Sequence, residues 1–292
     1  MTVYLNSNQL SVAISDLGAE LTSIVQNETG IEYLWQGDPE YWGRQSPILF
    51  PIVGRLKEDQ YNYQNNTYSL SQHGFARDKV FRIVSQTDNE AVFELSSSEE
   101  TESIFPFSFS LFIRYVLYEN SIHITYAVEN KETKRTMYFS IGGHPGFNIP
   151  LTEDTIFEDY YISFLPRKTR TVIPLDGPWI DLKNKTLGQT DTSLALSRKL
   201  FEKDALIYET EGTNSFTIES DKHSHRVEIE TEDFPYVGIW TASKKGSPFI
   251  CIEPWYGIAD TIESSGELKE KQGIQSLEPQ QTFQANYSIT ID

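Results

Sequence analysis

Two residues carry the clearest potential for chemistry, and both stand immediately before a proline. His144 lies in Ser140-Ile-Gly-Gly-His-Pro-Gly-Phe-Asn148, and Glu253 in Phe249-Ile-Cys-Ile-Glu-Pro-Trp-Tyr-Gly257. A proline biases the residue before it towards extended backbone and offers no N–H to a strand ladder. Each segment therefore reads as an apolar strand that presents a titratable side chain where regular pairing stops. An imidazole with a pKa near ~6.5 can donate a proton at neutral pH, and a carboxylate can accept one. Alone, the histidine segment is equally compatible with a tight turn and a solvated ring. A carboxylate at the end of an apolar strand needs a partner or a use, and Arg55 or Arg77 would supply the structural alternative.

Other residues extend this set. His73 occupies a second glycine-bearing break, Gln72-His-Gly-Phe-Ala-Arg-Asp78, the kind of position where a scaffold presents functional groups. Asp204 precedes the run Ala205-Leu-Ile-Tyr208, where turn chemistry explains it equally well. Trp240, Trp255 and Tyr256 suit stacking on a sugar ring, although aromatics in a β core are more often simply core. His123 is expected to face solvent, and His223 and His225 to be structural. The faint metal pattern of His223-x-His225 with Glu228 lacks a further histidine, so no metal is expected. Cys251, in an apolar run, reads as an inert buried thiol. A Gly-x-Ser-x-Gly elbow, a P-loop and a dinucleotide fingerprint are all missing from the sequence. What remains is general acid–base chemistry on a neutral polyol, each positioned group contributing roughly 10²–10⁴-fold.

The elements that must position these groups read as strands. Phe107, Phe109, Leu111, Ile113, Tyr115 and Leu117 recur with period two, as do Ile122, Ile124, Tyr126 and Val128. About twenty short strands are expected in all, separated by turn signals such as Asp-Leu-Gly-Ala and Asn65-Asn66. Glu32–Trp35 is expected to be a strand and 194–201 a short helix. Aromatic content of 13% with much Thr, Tyr and Val favours pleated surfaces. The chain of 292 residues shows no composition break, so the expectation is all-β: one large antiparallel β-sandwich domain over 1–292. A formal charge of −18 argues against nucleic acid and anionic membranes as partners. The single cysteine fits a reducing compartment. With no leader pattern or membrane-length apolar run in view, a cytoplasmic protein is expected.

Four motifs together are similar to the aldose 1-epimerase (mutarotase) superfamily, in its LacX-like branch. They are Gln72-His-Gly-Phe-Ala-Arg77, Gly142-Gly-His-Pro-Gly-Phe147, Lys203-Asp-Ala-Leu-Ile207 and Cys251-Ile-Glu-Pro-Trp-Tyr-Gly257. The resemblance covers nearly the whole chain. It implies a galactose mutarotase-like β-supersandwich with an open cleft, no cofactor, a sugar substrate, and a monomer or homodimer. It also implies Glu253 as the base on the anomeric hydroxyl and His144 as the acid on the ring oxygen. His73 and Asp204 would hold sugar hydroxyls, with Arg55 and Arg77 binding substrate. The Gly-Gly-His-Pro-Gly-Phe-Asn context departs from the Asn-His-x-Tyr-Phe-Asn context of galactose mutarotases. A hexose 6-phosphate held by Arg44, Arg55 and Arg77 is therefore a second substrate reading. Two further readings are a sugar-binding protein without turnover, and a glycosidase using Glu253 with Asp204 or Asp260. The acid and base are expected to face each other across one sugar-sized gap, with His73 beside them.

Overall fold

A computed structural model describes residues 1–242 and 246–292. Among the described residues two large antiparallel sheets dominate. The nine-stranded sheet runs, in spatial order, Leu194–Ala195, Tyr160–Leu165, Asn214–Ser220, Val227–Thr231, Thr282–Ile291, Ser121–Asn130, Phe109–Tyr118, Glu90–Ser96 and Arg82–Gln86. The alternation read from the sequence holds in its long strands. Leu111, Ile113, Tyr115 and Leu117 are buried, as are Ile122, Ile124, Tyr126 and Val128, while His123 is exposed. Burial on one face only is what a period of two produces in an antiparallel strand.

The eight-stranded sheet positions the site. Its order is Thr186–Gly188, Arg170–Ile173, Leu206–Glu209, Tyr236–Trp240, Phe249–Tyr256, Ile141–Gly143 and Ile48–Leu49, and Gly146–Asn148 also pairs with Phe249–Tyr256. Along Phe249–Tyr256 parity divides the side chains. Ile250 and Ile252 join the same apolar cluster as Ile113, Tyr126 and Ile289 of the nine-stranded sheet, and Tyr256 packs against it. Phe249, Cys251 and Trp255 belong to separate small clusters on the other face. The sandwich core thus takes the even positions and leaves the odd ones, Glu253 among them, for the outer face. Gly143 faces the nine-stranded sheet: a Cβ there would sit 2.7 Å from the Tyr126 hydroxyl, so only glycine fits without displacing the tyrosine.

Four local expectations are corrected. The strand bearing Glu253 does not stop there but continues through Pro254 to Tyr256. This is possible because the neighbouring segment breaks at His144-Pro145, so Pro254 has no ladder bond to lose on that side. Residues 194–201 form a two-residue strand and a 3₁₀ turn at Arg198–Phe201 rather than a helix. Only isolated bridges involve Glu32–Trp35. The hairpin turn falls at Gln64-Asn65, one residue earlier than expected, with φ values of 50° and 64°. Positive φ at both central residues is the geometry whose twist suits a two-residue hairpin.

The turn that carries His73 depends on its glycine. Gly74 has φ of +71°, and a Cβ would lie 2.3 Å from the Phe50 carbonyl oxygen. Gly74→Ala should destabilise the protein by more than ~1 kcal/mol, because alanine meets both left-handed backbone and a backbone clash. Thermal unfolding of the purified variant measures this; an unchanged Tm would contradict it.

Candidate active site

The two halves of the histidine segment pair with one strand in one register. Gly142 opposes Trp255 on one side of the break, and Gly146 opposes Cys251 on the other. Continuing either ladder inward places His144 opposite Glu253. Directly opposed side chains on antiparallel strands have Cβ atoms about 4.5–5.5 Å apart, and here His144 Nε2 lies 3.1 Å from Glu253 Oε2. The histidine segment is fixed from its other side as well: His144 N–H donates to the Pro47 carbonyl at 3.2 Å, and Gly146 N–H to the Gln45 carbonyl at 2.9 Å. The expected sugar-sized gap between acid and base is therefore replaced by direct contact. The physical reason is that both belong to adjacent strands of one sheet, not to opposite walls.

His144 and Glu253 are almost wholly buried, with side-chain exposures of 9% and 2%. Desolvation, which disfavours charge, pushes the Glu253 carboxyl well above the ordinary range, and the charge of Asp204 adds to it. Desolvation also pulls His144 down to about 3, with Arg77 and Arg44 opposing any added positive charge. The favoured form of the pair is an uncharged carboxylic acid beside an uncharged imidazole, holding one proton between Oε2 and Nε2. His73 stands beside them, its ring edge-on to His144 at 5.7 Å between centroids. Its backbone is left-handed, with φ of 68°. Its Nδ1 accepts the Gly54 N–H at 3.1 Å, and its Nε2 lies 3.2 Å from the Gln72 side-chain nitrogen. Desolvation, followed by the charge of His144 and then of the arginines, holds His73 well below its usual pKa. It is thus a neutral ring.

A cleft of about 1000 Å³ opens over this group, at the upper end of the ~300–1,000 Å³ usual for small-molecule sites. Eight candidate residues from the sequence line it: His144, Glu253 and His73, then Arg55, Arg77, Asp204, Trp240 and Trp255, whereas Tyr256, also a stacking candidate, packs against the core instead. The arginines do not pair with Glu253. Arg77 donates to the Gln72 carbonyl at 2.6 Å, and Arg55 to the Gln72 side-chain oxygen at 3.2 Å. Arg44 pairs with Asp78 at 2.8 Å and is not among the cleft-lining residues. Asp260 is also outside the lining, buried against Lys271, which removes it as a glycosidase partner for Glu253. His223 and His225 bond Tyr160 and Tyr33 respectively, as structural histidines do. His144, Cys251 and Glu253 offer ligand atoms within 4.8 Å of one another. However, Nε2 is committed to the carboxyl, and burial keeps the thiol protonated, so the trio reads as an acid–base pair above a neutral thiol.

Sequence reasoning missed Trp42 as a site residue. Its ring stacks on His144 with centroids 4.7 Å apart and planes 28° from parallel, while Trp240 meets the same imidazole edge-on. The Trp42 carbonyl accepts the Trp35 indole N–H at 2.9 Å, which pins the loop. The available signal was an aromatic in a Gly- and Pro-bearing loop; its target was not legible. An imidazolium over an indole face gains a cation–π attraction that a neutral ring lacks, worth ~0.5–2 kcal/mol. Trp42→Ala should therefore disfavour formation of the protonated His144 from the neutral ring, and lower kcat, by roughly two- to thirtyfold. Steady-state rates of the folded variant test this, and an unaltered kcat would show that the indole only fills space.

The antiparallel sandwich is the fold of galactose mutarotase-like proteins. The chain belongs to the aldose 1-epimerase family, whose model matches residues 1–290. It is 36% identical over 300 residues to the chromosomally encoded protein LacX of Lactococcus lactis subsp. lactis, covering 100% of this chain and 99% of that one. A galactose mutarotase related enzyme from Lactobacillus acidophilus superposes with a TM-score of 0.98 at 43% identity, over 100% of this chain and 97% of that one. A galactose mutarotase-like protein from Lactobacillus casei does so with 0.91 at 30% identity, over the whole of both. No helix among the described residues is long and apolar enough to cross a membrane.

Proposed function

We propose that the protein is an aldose 1-epimerase that interconverts the α and β anomers of a free hexose, using Glu253 and His144 as a one-proton relay. The observation that carries this reading is their contact at 3.1 Å beneath the cleft. The anomeric hydroxyl and the ring oxygen share one carbon, so their oxygens lie closer together than a hydrogen bond is long. Two adjacent groups, one accepting and one donating, match that spacing. Glu253, as carboxylate, takes the anomeric proton while His144 Nε2–H protonates the ring oxygen. The C1–O5 bond breaks and C1 becomes an aldehyde carbon. The step starts from the ionic form of the pair, which burial disfavours and which forms by shifting the shared proton from Oε2 to Nε2, and ring opening leaves the pair uncharged again. After rotation about C1–C2, Glu253 returns its proton to the carbonyl oxygen and His144 takes one from the C5 hydroxyl. The other anomer forms with no net proton exchanged, so acid and base suffice without a cofactor.

In this reading His73, Asp204, Arg55 and Arg77 hold the remaining hydroxyls, with Trp240 and Trp255 against the apolar ring face. Residues 1–292 act as one domain, consistent with strands from across the chain sharing each large sheet. Arg55, Arg77 and Lys203 on the cleft also suit a hexose 6-phosphate. Asp176, Glu202 and Asp204 line the same cleft and oppose a dianion, which favours the uncharged sugar. Saturation-transfer NMR of anomer exchange with glucose, galactose and glucose 6-phosphate should show acceleration with a free hexose. Acceleration confined to glucose 6-phosphate would reverse the substrate assignment, and sugar binding without exchange would leave a binding protein.

A further inference from the structure

Asp260 and Lys271 lie outside the cleft, yet they form a buried ion pair, with Asp260 Oδ1 accepting from Lys271 Nζ at 3.0 Å and side-chain exposures of 4% and 2%. A buried pair is weak grounds for a stability role, since desolvation offsets much of the attraction. What distinguishes this one is where its other bonds go. Asp260 Oδ2 accepts the Lys57 N–H at 3.0 Å. The Asp260 N–H donates to the Arg55 carbonyl at 2.9 Å, and the Asp260 carbonyl accepts the Ile180 N–H at 2.9 Å. Lys271 Nζ also donates to the Ile258 carbonyl at 2.6 Å. The carboxylate thus ties Lys57, two residues beyond Arg55, to Lys271. The Asp260 backbone bonds Arg55 and Ile180 at the end of the hairpin formed by Leu175–Asp176 and Trp179–Ile180, so the side-chain pair acts on that hairpin by fixing where residue 260 stands. Both segments contribute residues to the cleft, including Arg55, Leu175, Asp176 and Ile180.

We propose that the Asp260–Lys271 pair is a positioning device that sets the sugar-binding wall made by Arg55 and the 175–180 hairpin, separately from the His144–Glu253 pair. The reasoning rests on the epimerase reading for its kinetic form only. The pair has no hydrogen bond to His144 or Glu253, which are fixed by their own register, so loosening the wall leaves the relay in place. The wall contacts sugar hydroxyls in both ground and transition states, and loss of such uniform binding raises KM without lowering kcat.

The test is the charge-neutral double variant Asp260→Asn with Lys271→Met, which leaves no unpaired buried charge, alongside Lys271→Arg, which keeps the charge but moves the donor. Anomer exchange and calorimetric sugar affinity are measured on the folded proteins. The expected result is KM and Kd raised about tenfold with kcat within about threefold of wild type. Adding Arg55→Ala should then cost less than it does in the wild type, because both changes disturb one wall. A lowered Tm with unchanged KM and Kd would reduce the pair to a structural role. A fall in kcat at constant KM would place its action on the relay instead. If the double variant does not fold, Lys271→Arg with unchanged KM and Kd overturns the proposal. Wild-type protein that binds sugar without exchange sinks the epimerase reading yet leaves the affinity test intact; protein that binds no sugar sinks both.

Discussion

Glu253→Gln should lower the rate of anomer exchange by about 10²–10⁴-fold and, at the same time, make the protein more stable at neutral pH. The first effect follows from removing the group that takes the anomeric proton while keeping the shape and a hydrogen bond to His144. The second follows from the raised pKa of the buried carboxyl. The unfolded chain releases this proton near the ordinary carboxyl value of 4.5, whereas the folded chain keeps it well above that. Between the two values the unfolded state binds fewer protons, so stability falls as pH rises, by up to about 1.4 kcal/mol per pH unit from this group. Glutamine does not ionise and removes the fall. The difference in Tm between variant and wild type should therefore be small in acid and widen through neutral pH. Wild-type turnover in the variant would end the assignment of Glu253 as base. A variant less stable than wild type at neutral pH would contradict the protonated buried acid.

His144→Gln should cost a similar 10²–10⁴-fold, and the double variant with Glu253→Gln should lose no more than the worse single one, because groups that act as a unit are not additive. Losses that multiply would show two independent contributions. The wild-type pH profile supplies a further reading of the same pair. With His144 pulled down to about 3 by burial, the imidazole gains its extra proton only well below the usual histidine range. The pair, holding one shared proton, is lost on the acid side when a second proton binds. On the alkaline side it is lost when Glu253 gives up the shared one. The rate should accordingly stay level between about pH 5 and 7, where an ordinary histidine would titrate. An inflection near the ordinary histidine value would mean that His144 is solvated in the working enzyme.

These expectations separate two kinds of function for the site. The rate effects depend on where Oε2 and Nε2 stand relative to a sugar, and the stability effects depend only on burial. Stabilisation without loss of rate would keep the description of the buried carboxyl and discard the mechanism. A site that carries an uncharged acid at neutral pH is less stable than the same fold needs to be, which is the usual relation between catalytic groups and the scaffold that holds them.

The sequence by itself determined the all-β class, because alternation with period two is a local property of each strand and survives in Phe109–Tyr118 and Ser121–Asn130 as read. It also determined which residues could carry chemistry, because glycine and proline around His73, His144 and Glu253 restrict the backbone locally, and all three line the cleft. Tertiary structure alone decided that His144 touches Glu253. Their contact arises because two short strands, separated by more than a hundred residues from Phe249–Tyr256, pair with it in a single register on both sides of a break. Register between strands so distant in the chain is set by which faces the whole sandwich buries, and no local pattern encodes it. The same holds for Trp42, whose loop gives no sign of the imidazole it covers, and for Asp260, which reads as a candidate glycosidase carboxylate until Lys271 is folded against it.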